Sequence, residues 1–497
     1  MKGLLNKKWL LVGLLAVGAV GCSDLEVENL NNPDTSKVLA SDQDVKTLAS
    51  GMYNQVHRGL YWYNGLGLAL GAAADNLSCS WGNQAMRDMS WEPRKAWDNE
   101  PSYSYRGTAN YTFNQMYAAV STANTVLKTM ADGLDIGPSG EDNVLVTAFS
   151  KLHQGIGLGY ISLTFDKGYI VDENSTPEEI SSPEFKPWDE VQAAALAKLD
   201  EAIALANGNS FTVPAGWFST TEDVSSADFA KLANSYAAIF LAYSPRSSAG
   251  VSSVDWAKVQ AYADAGITAD FVLEGDGWIQ WANEIMIYGV YPGWGRVDNR
   301  VIHMMASSYP EHWTDTPSFP APARVTNPED QRLLTDFSYL SSNNFRPERG
   351  YYHYSSYRYS RYDDYVGVYT GAVPNMPLAE IDMIRAEARA RRGDLAGAAA
   401  IINAGTRVTR GQLAPVAPTQ GEVMAAIHHE RNVELWHQTF GLNFYEMRKN
   451  DYLQAGTPLH FPVPYSILET IGEERPFYTF GGPNGKDGIN GSNGGWR

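Results

Sequence analysis

Amphipathic runs with helical spacing are the feature that most constrains how this chain can fold. From Ser41, a favourable helix N-cap, apolar residues recur at intervals of three and four, as in Val45, Leu48, Ala49 and Met52. This spacing puts one apolar face on a helix, which must be buried against a neighbour. The same spacing predicts further helices at about residues 113–131, 144–164, 188–206, 227–243, 255–268, 378–391, 395–406, 422–437 and 443–449.

Small residues within these runs indicate helices that pack closely in pairs. Residues 381–403 form two alanine-rich runs around a Gly393-Asp394 turn, and they resemble a tetratricopeptide-type pair. Residues 155–160 and 191–206 suggest a second pair. Helix pairs of this kind stack into a curved scaffold, so the predicted fold is mainly α-helical and superhelical.

Three long segments without periodicity separate the helices, at residues 71–104, 276–316 and 344–369, and they are rich in Trp, Tyr, Asn and Gly. Loops this long are usually functional or disordered, and their aromatic content argues against disorder. Sugar rings stack on flat aromatic side chains, and a peptide ligand can use the same anchors. Each single aromatic residue can equally be part of the core, because large aromatics are highly buried on average. The central segment holds Trp278, Trp281, Tyr288, Tyr291, Trp294, Tyr309 and Trp313.

The N-terminus has the pattern of a bacterial lipoprotein signal. Lysines precede a short apolar run at residues 9–20, which is too short to span a bilayer. The sequence Ala19-Val20-Gly21-Cys22 resembles a lipobox, which predicts a signal peptide at 1–21, acylation of Cys22 and a tether at 22–40. The alternative is an ordinary signal peptide with Cys22 as a free thiol. The acidic stretch after Cys22 resembles the surface-export signal of Bacteroidetes lipoproteins, or it is simply a solvated linker.

Net charge argues against a protein that binds nucleic acid or anionic lipids, and cysteine content argues against a disulfide-stabilised domain. The formal net charge is −18, and it becomes more negative when a signal peptide with three lysines is removed. Such a surface repels nucleic acid and anionic lipid headgroups. Only Cys22 and Cys79 are present, so no disulfide framework stabilises the fold. No cofactor motif appears.

An enzyme remains an alternative interpretation. Asp75, Asp98, Asp276 and Glu284 are candidate carboxylates for a helical glycoside hydrolase, but their spacing gives no reason to pair any two. His428-His429 is not a zinc signature, because adjacent residues of a helix point about 100° apart. The glycine-rich residues 481–496 lack the helix that a phosphate site needs, so we interpret them as a solvent-exposed tail. Asp487 could bind a cation there, but a single carboxylate is weak evidence for such a site.

Together these segments resemble the SusD/RagB family. The resemblance is carried by Asn31-Asn32-Pro33, residues 45–60, the block 74–82, Tyr117 with Asn124, residues 230–243 with 255–259, residues 378–388 with Gly393-Asp394, residues 427–435, Phe440-Gly441, residues 444–449 and residues 461–464. It covers nearly the whole chain after the predicted signal peptide and implies one SusD-like domain at 41–497, with an N-terminal region at 41–230 and a C-terminal region at 270–497.

The resemblance implies a function as well as a fold. SusD-like proteins are outer-membrane lipoproteins facing the cell exterior, which act as lids on SusC-type TonB-dependent transporters and capture oligosaccharides or peptides without chemistry. A pure assembly scaffold, with the aromatic loops docking to other proteins, is a further alternative. Glu430, Arg431 and Glu434 are expected to have a structural role, paired with Arg448 or Lys449.

Composition and position suggest which residues contact the ligand. We expect the first and central loops to converge over one face, with aromatic side chains beside polar ones. The candidate ligand residues are Trp81, Asn83, Arg87 and Trp97 in the first loop, and Tyr288, Trp294, Arg296 and Trp313 in the central loop. No catalytic residue, metal ligand or cofactor is predicted.

Overall fold

The computed structural model describes residues 41–79, 82–312, 322–341, 355–482 and 491–497. The predicted signal peptide and tether, with Cys22, lie outside the described residues. So do Trp81, Trp313 and Asp487, which carried predictions about the ligand or a cation.

Helices form most of the structure. Their bounds are α1 Asp42–Ser50, α2 Met52–Tyr61, α3 Gly67–Ala73, α4 Met86–Ser90, α5 Gly107–Ala131, α6 Asn143–Thr164, α7 Pro177–Ser181, α8 Trp188–Gly208, α9 Ala215–Phe218, α10 Ser226–Ala242, α11 Trp256–Asp264, α12 Glu284–Val290, α13 Asn299–Met305, α14 Arg332–Thr335, α15 Asp363–Val368, α16 Leu378–Arg391, α17 Leu395–Ala404, α18 Thr406–Thr409, α19 Gln420–Val433, α20 Leu442–Lys449 and α21 Tyr465–Thr470. Short 3₁₀ turns span Asn83–Ala85, Pro138–Gly140 and Ser248–Ser253.

Short strands pair two by two, always antiparallel. Their bounds are β1 Leu77–Ser78, β2 Lys167–Tyr169, β3 Phe185–Pro187, β4 Thr212–Val213, β5 Val224–Ser225, β6 Phe271–Asp276, β7 Arg296–Val297, β8 Phe337–Tyr339, β9 Tyr357–Tyr359 and β10 Thr370–Met376. The pairs are β1 with β7, β2 with β3, β4 with β5, β6 with β10 and β8 with β9.

The helices predicted from periodicity are present. Ser41 caps α1 by accepting a hydrogen bond from the backbone N–H of Asp44 at 3.1 Å. The predicted helix at 378–391 coincides with α16, and the run at 144–164 begins one residue earlier as α6. Periodicity identified most of these helices because they bury one apolar face, whereas α6 is buried on all sides from Ala148 to Thr164.

The long helices pack in sequence order, as the tetratricopeptide-like interpretation predicts. Helix α6 packs between α5 and α8, and α10 follows on α8, while α16 packs on both α11 and α17. Glycines allow the close approach: a Cβ on Gly155 would stand 2.6 Å from Leu199 of α8. The mainly helical fold class is confirmed.

The central segment contains helices that periodicity did not reveal. Residues 276–316 were predicted to lack regular structure, yet they contain α12, β7 and α13. Helices α12 and α13 have seven residues each. All seven residues of α12 and most residues of α13 are buried, so neither helix shows the alternation of apolar and polar faces that identifies a longer amphipathic helix.

One predicted set of ion pairs is wrong. Arg448 donates to the carbonyl oxygens of Leu163, Leu459 and Tyr243 and pairs with neither Glu430 nor Glu434. The carboxylates of Glu430 and Glu434 instead accept from Arg332, and Glu434 also from Arg361 and Arg410. Lys449 pairs with Glu387 and Glu446. The expectation failed because the arginines that bind Glu430 and Glu434 lie far from these two residues in sequence.

Among the described residues, no helix combines the length and the apolar character needed to cross a membrane.

Gly157 provides a test of the helix packing. A Cβ at this position would lie 2.8 Å from the carbonyl oxygen of Met116 and 2.6 Å from Val120 on α5. Because a backbone atom cannot rotate away, we expect Gly157→Ala to lower the free energy of unfolding by about 1–3 kcal/mol. The control is Gly107→Ala in α5, where the new Cβ meets nothing within 4 Å. Urea denaturation of both variants checks the expectation, and equal stability would contradict it.

Candidate functional site

Strand pairing brings the first and central loops together. Leu77 and Ser78 of β1 pair with Val297 and Arg296 of β7. The backbone N–H of Asp298 extends the pairing by donating to the carbonyl of Asn76 at 3.0 Å. Two segments more than two hundred residues apart therefore meet at one place, and Cys79, directly after β1, contacts Tyr288 of the central loop.

Helix α12 presents an aromatic group at its C-terminal end. Asn283 caps the helix by accepting from the N–H of Met286 at 2.9 Å. The ring centroids of Tyr291 and Trp294 are 4.8 Å apart, and those of Tyr288 and Trp294 are 5.3 Å apart. Tyr291 and Trp294 are 40% and 39% exposed, although both are large aromatic residues. We call Tyr288, Tyr291 and Trp294 the aromatic platform.

Tyr288 is the buried base of the platform. Only 3% of the residue is exposed, and its hydroxyl lies 3.3 Å from the thiol of Cys79. Burial raises the pKa of Tyr288, and the side chain of Asn83, which hydrogen-bonds the hydroxyl, opposes that rise only in part. The phenol therefore stays neutral and joins the first loop to the central one.

The first loop has two solvent-exposed polar side chains, Asn83 and Arg87. Asn83 is exposed and contacts Tyr288. Arg87 is 40% exposed, and its Cβ would lie 2.9 Å from a Cβ on Gly82, which has a φ of +78°. Glycine is strongly favoured at position 82, because it adopts the positive φ without strain and has no Cβ to clash with Arg87. The site thus combines exposed aromatic faces with the amide of Asn83, and the guanidinium of Arg87 is exposed in the same loop as that amide.

A second aromatic group lies at the other end of α12. Trp278 and Tyr63 are each 39% exposed, and the N–H of Tyr63 donates to the Glu284 carboxylate at 2.8 Å. Burial raises the pKa of Glu284, while hydrogen bonds from Tyr63 and Trp278 oppose the rise. Neither Tyr63 nor Trp278 was selected from the sequence, since composition does not show which aromatic side chains reach the surface.

Besides Tyr288, two further candidate residues lie beneath the surface. Trp97 is 2% exposed, with its ring edge-on to Phe461 and Tyr103. Arg296 is 1% exposed and donates to the carbonyl oxygen of Pro292 at 2.6 Å. Both side chains are buried, whereas those of Asn83, Arg87 and Trp294 reach solvent. A role for any of these residues in binding a ligand stays a prediction.

A buried ion pair closes the base of the first loop. Asp75 and Arg94 are 1% and 2% exposed, and Arg94 Nη2 lies 2.5 Å from Asp75 Oδ1. Arg94 also donates to the carbonyl of Met89 at 2.6 Å. The indole N–H of Trp496, near the C-terminus, donates to the second oxygen of Asp75 at 2.8 Å. These contacts position the segment that carries Asn83 and Arg87.

The carboxylates considered for catalysis have structural partners. Asp276 accepts hydrogen bonds from the backbone of Ile279, Gln280 and Trp281, and Asp98 accepts from the backbone of Glu100. In the parts of the chain that the structure describes, no three His, Cys, Asp or Glu side chains group as metal ligands.

Comparisons with known proteins identify related folds. Residues 256–457 match the model of the SusD family. A SusD superfamily protein from Bacteroides vulgatus superposes with a TM-score of 0.56 at 14% identity, covering 82% of this chain and 88% of that one. A SusD-like protein from Bacteroides fragilis gives a TM-score of 0.58 at 14% identity, covering 83% and 87%.

A third solved structure is described as a SusD-like carbohydrate binding protein from Bacteroides vulgatus. Its TM-score is 0.54 at 14% identity, with 81% of this chain and 82% of that chain covered. At such identities the likeness establishes the fold alone. None of the curated proteins compared with the chain matches it in sequence.

Removing Arg94 tests the ion pair under the first loop. Arg94→Met leaves the Asp75 carboxylate buried without this cation, so we expect the free energy of unfolding to fall by roughly 3–5 kcal/mol. The control is Lys128→Met, because Lys128 pairs with Asp132 in solvent, where ion pairs contribute little. Urea denaturation measures both. A loss no larger than that of the control would show that Arg94 does not stabilise the loop base.

Proposed function

We propose that this chain is a binding protein of the SusD family that captures oligosaccharides on the aromatic platform. We further propose that it delivers them to a SusC-type TonB-dependent transporter, on which it acts as a lid. The first part rests on the geometry of the site, and the second on family membership.

The observation that carries the proposal is the exposure of Tyr291 and Trp294, with Asn83 in contact with Tyr288 and Arg87 exposed in the same loop as Asn83. Flat rings at the surface match the apolar C–H faces of sugars, while amide and guanidinium groups donate hydrogen bonds to hydroxyl groups. The buried hydroxyl of Tyr288 holds the two loops together, so the arrangement exists before a ligand arrives. Preorganisation of this kind lowers the entropic cost of binding.

Binding without chemistry is the simplest use of this site. The candidate carboxylates Asp75 and Asp276 are engaged by Arg94 and by backbone N–H groups respectively, which favours a structural role for both. The carbohydrate-binding description of one related structure supports the same ligand class.

The membrane attachment that we propose comes from Cys22. Acylation there, after removal of residues 1–21, would place the protein at the outer membrane, facing the cell exterior, with residues 22–40 as its tether.

Replacing Trp294 tests the platform. We expect Trp294→Ala to weaken binding of oligosaccharides about tenfold or more, because a loss of 1.4 kcal/mol corresponds to a factor of ten. The measurement is calorimetric titration with maltoheptaose, laminarihexaose, xylohexaose and mannohexaose. Ile471→Ala is the control, since Ile471 is another large apolar side chain, 45% exposed, outside the platform.

Two results would contradict the proposal. The ligand class is wrong if the protein binds short peptides and none of the oligosaccharides. The binding-protein interpretation is wrong if an oligosaccharide is shortened on incubation with the protein.

Labelling tests the lipid anchor. We expect cells fed radioactive palmitate to label the wild-type protein and not Cys22→Ser, since acylation requires the thiol. Cys79→Ser is the matched control, because Cys79 is buried. Label that persists in Cys22→Ser would contradict the anchor and leave the platform proposal intact.

A further inference from the structure

A cavity of about 590 Å³ lies away from the aromatic platform. It lies between α13, α19, α20 and the C-terminal segment, and we call it the rear cavity. Its lining includes Arg300, Met304, His428, Tyr452 and Trp496. This volume is within the range of small-molecule sites, and none of the three platform residues contributes to it.

Aromatic rings and polar groups alternate along the cavity wall. Tyr452 is 38% exposed, and its ring centroid lies 4.9 Å from that of His428 in an edge-on arrangement. The guanidinium of Arg300 lies 5.9 Å from the centre of the Trp496 ring. The wall therefore offers flat apolar surface with hydrogen-bonding groups between the rings.

Arg300 keeps a donor for a ligand. It is 3% exposed, and its Nε and Nη2 donate to the carbonyls of Asp75 and Ala74 and to the side chain of Asn432. Its Nη1 instead contacts the thioether sulfur of Met304 at 3.5 Å. Sulfur is a weak acceptor, so a ligand oxygen at this place would give Nη1 a better partner.

His428 adds a second polar group. Its Nδ1 lies 3.4 Å from Glu446 Oε1, which leaves Nε2 on the opposite edge of the ring. Burial lowers the pKa of His428 and the Glu446 carboxylate opposes this, so the imidazole is neutral near pH 7. A neutral ring hydrogen-bonds a hydroxyl without requiring an ionised ligand.

The charges around the cavity favour a neutral ligand. Asp298, Asp75 and Glu311 all lie close enough to Arg300 to raise its pKa, against the larger effect of burial. The positive charge of Arg300 is therefore balanced by carboxylates, and an anionic ligand would be repelled by Glu311, which also lines the cavity. Glu446, the other carboxylate on the lining, is already paired with Arg431 and Lys449, so it does not attract a cationic ligand.

We propose that the rear cavity is a second binding site, specific for a neutral sugar unit. Tyr452 and Trp496 stack on the apolar face of the sugar ring, and Arg300 Nη1 and His428 Nε2 bind its hydroxyl groups. The choice of ligand class rests on the proposed function, whereas the existence of the site rests on the cavity and its donors.

Filling the cavity tests this site separately from the platform. Ala425 is exposed on α19 and lines the cavity, so Ala425→Trp should occupy the space without disturbing the core. Saturation-transfer NMR with the same four oligosaccharides detects weak binding. We expect Trp294→Ala to retain a signal from at least one sugar, and Trp294→Ala/Ala425→Trp to lose it. Adding Tyr452→Ala to Trp294→Ala should reduce affinity at least tenfold.

Ala193→Trp, combined with Trp294→Ala, is the matched control, because Ala193 is exposed on α8 and does not line the cavity. The second site is refuted if Trp294→Ala alone abolishes every signal, or if Ala425→Trp and Tyr452→Ala leave the remaining signal unchanged. In both cases the platform proposal survives, since the wild-type protein still binds. If the wild-type protein binds none of the sugars, both proposals fail together.

Discussion

A buried network of charges on α19 is the interaction on which the rest of the structure depends. Arg431 is fully buried and lies 2.7 Å from carboxylate oxygens of both Glu387 on α16 and Glu446 on α20. Burial alone would raise the pKa of Glu446, but Arg431 and Lys449 hold it well below its ordinary value. Breaking one member of such a network leaves a charge uncompensated in the interior, which is strongly destabilising. The network therefore fixes how three helices meet.

The same helix connects the helical scaffold to the loop-built region. Adjacent residues of a helix point about 100° apart, so Arg431 faces the scaffold while Glu430 and Glu434 face elsewhere. Glu434 accepts from Arg332, Arg361 and Arg410, which follow in segments between α13 and α19. On another face of the same helix, the side-chain oxygen of Asn432 accepts a hydrogen bond from Arg300. Arg300 also donates to the carbonyl oxygens of Ala74 and Asp75 at the base of the first loop. One short stretch of α19 thus positions both the frame and the loops that carry the platform.

Sequence patterns predicted the scaffold much better than the site. Long helices such as α5, α8 and α16 were identified because an amphipathic helix shows its buried face in the spacing of its apolar residues. Short buried elements such as α12 show no such spacing. The pairing of β1 with β7 involves only two residues on each strand, which is too short for a pattern to be recognised. Aromatic content indicated the loops that carry the candidate site but did not show which of their aromatic side chains are exposed. Trp97 and Trp294 look alike in sequence, yet one is 2% exposed and the other 39%.

The sequence by itself determined the helical frame, the family resemblance and the acidic surface, because these properties are local or compositional. It also marked Cys22 as the candidate lipid attachment site. Tertiary structure alone decided which aromatic side chains reach solvent, which arginine pairs with which carboxylate, and that residues 77–78 meet residues 296–297. It also assembled the rear cavity from Arg300, His428, Tyr452 and Trp496, which come from four separate segments of the chain. These outcomes depend on long-range contacts, which periodicity and composition do not encode.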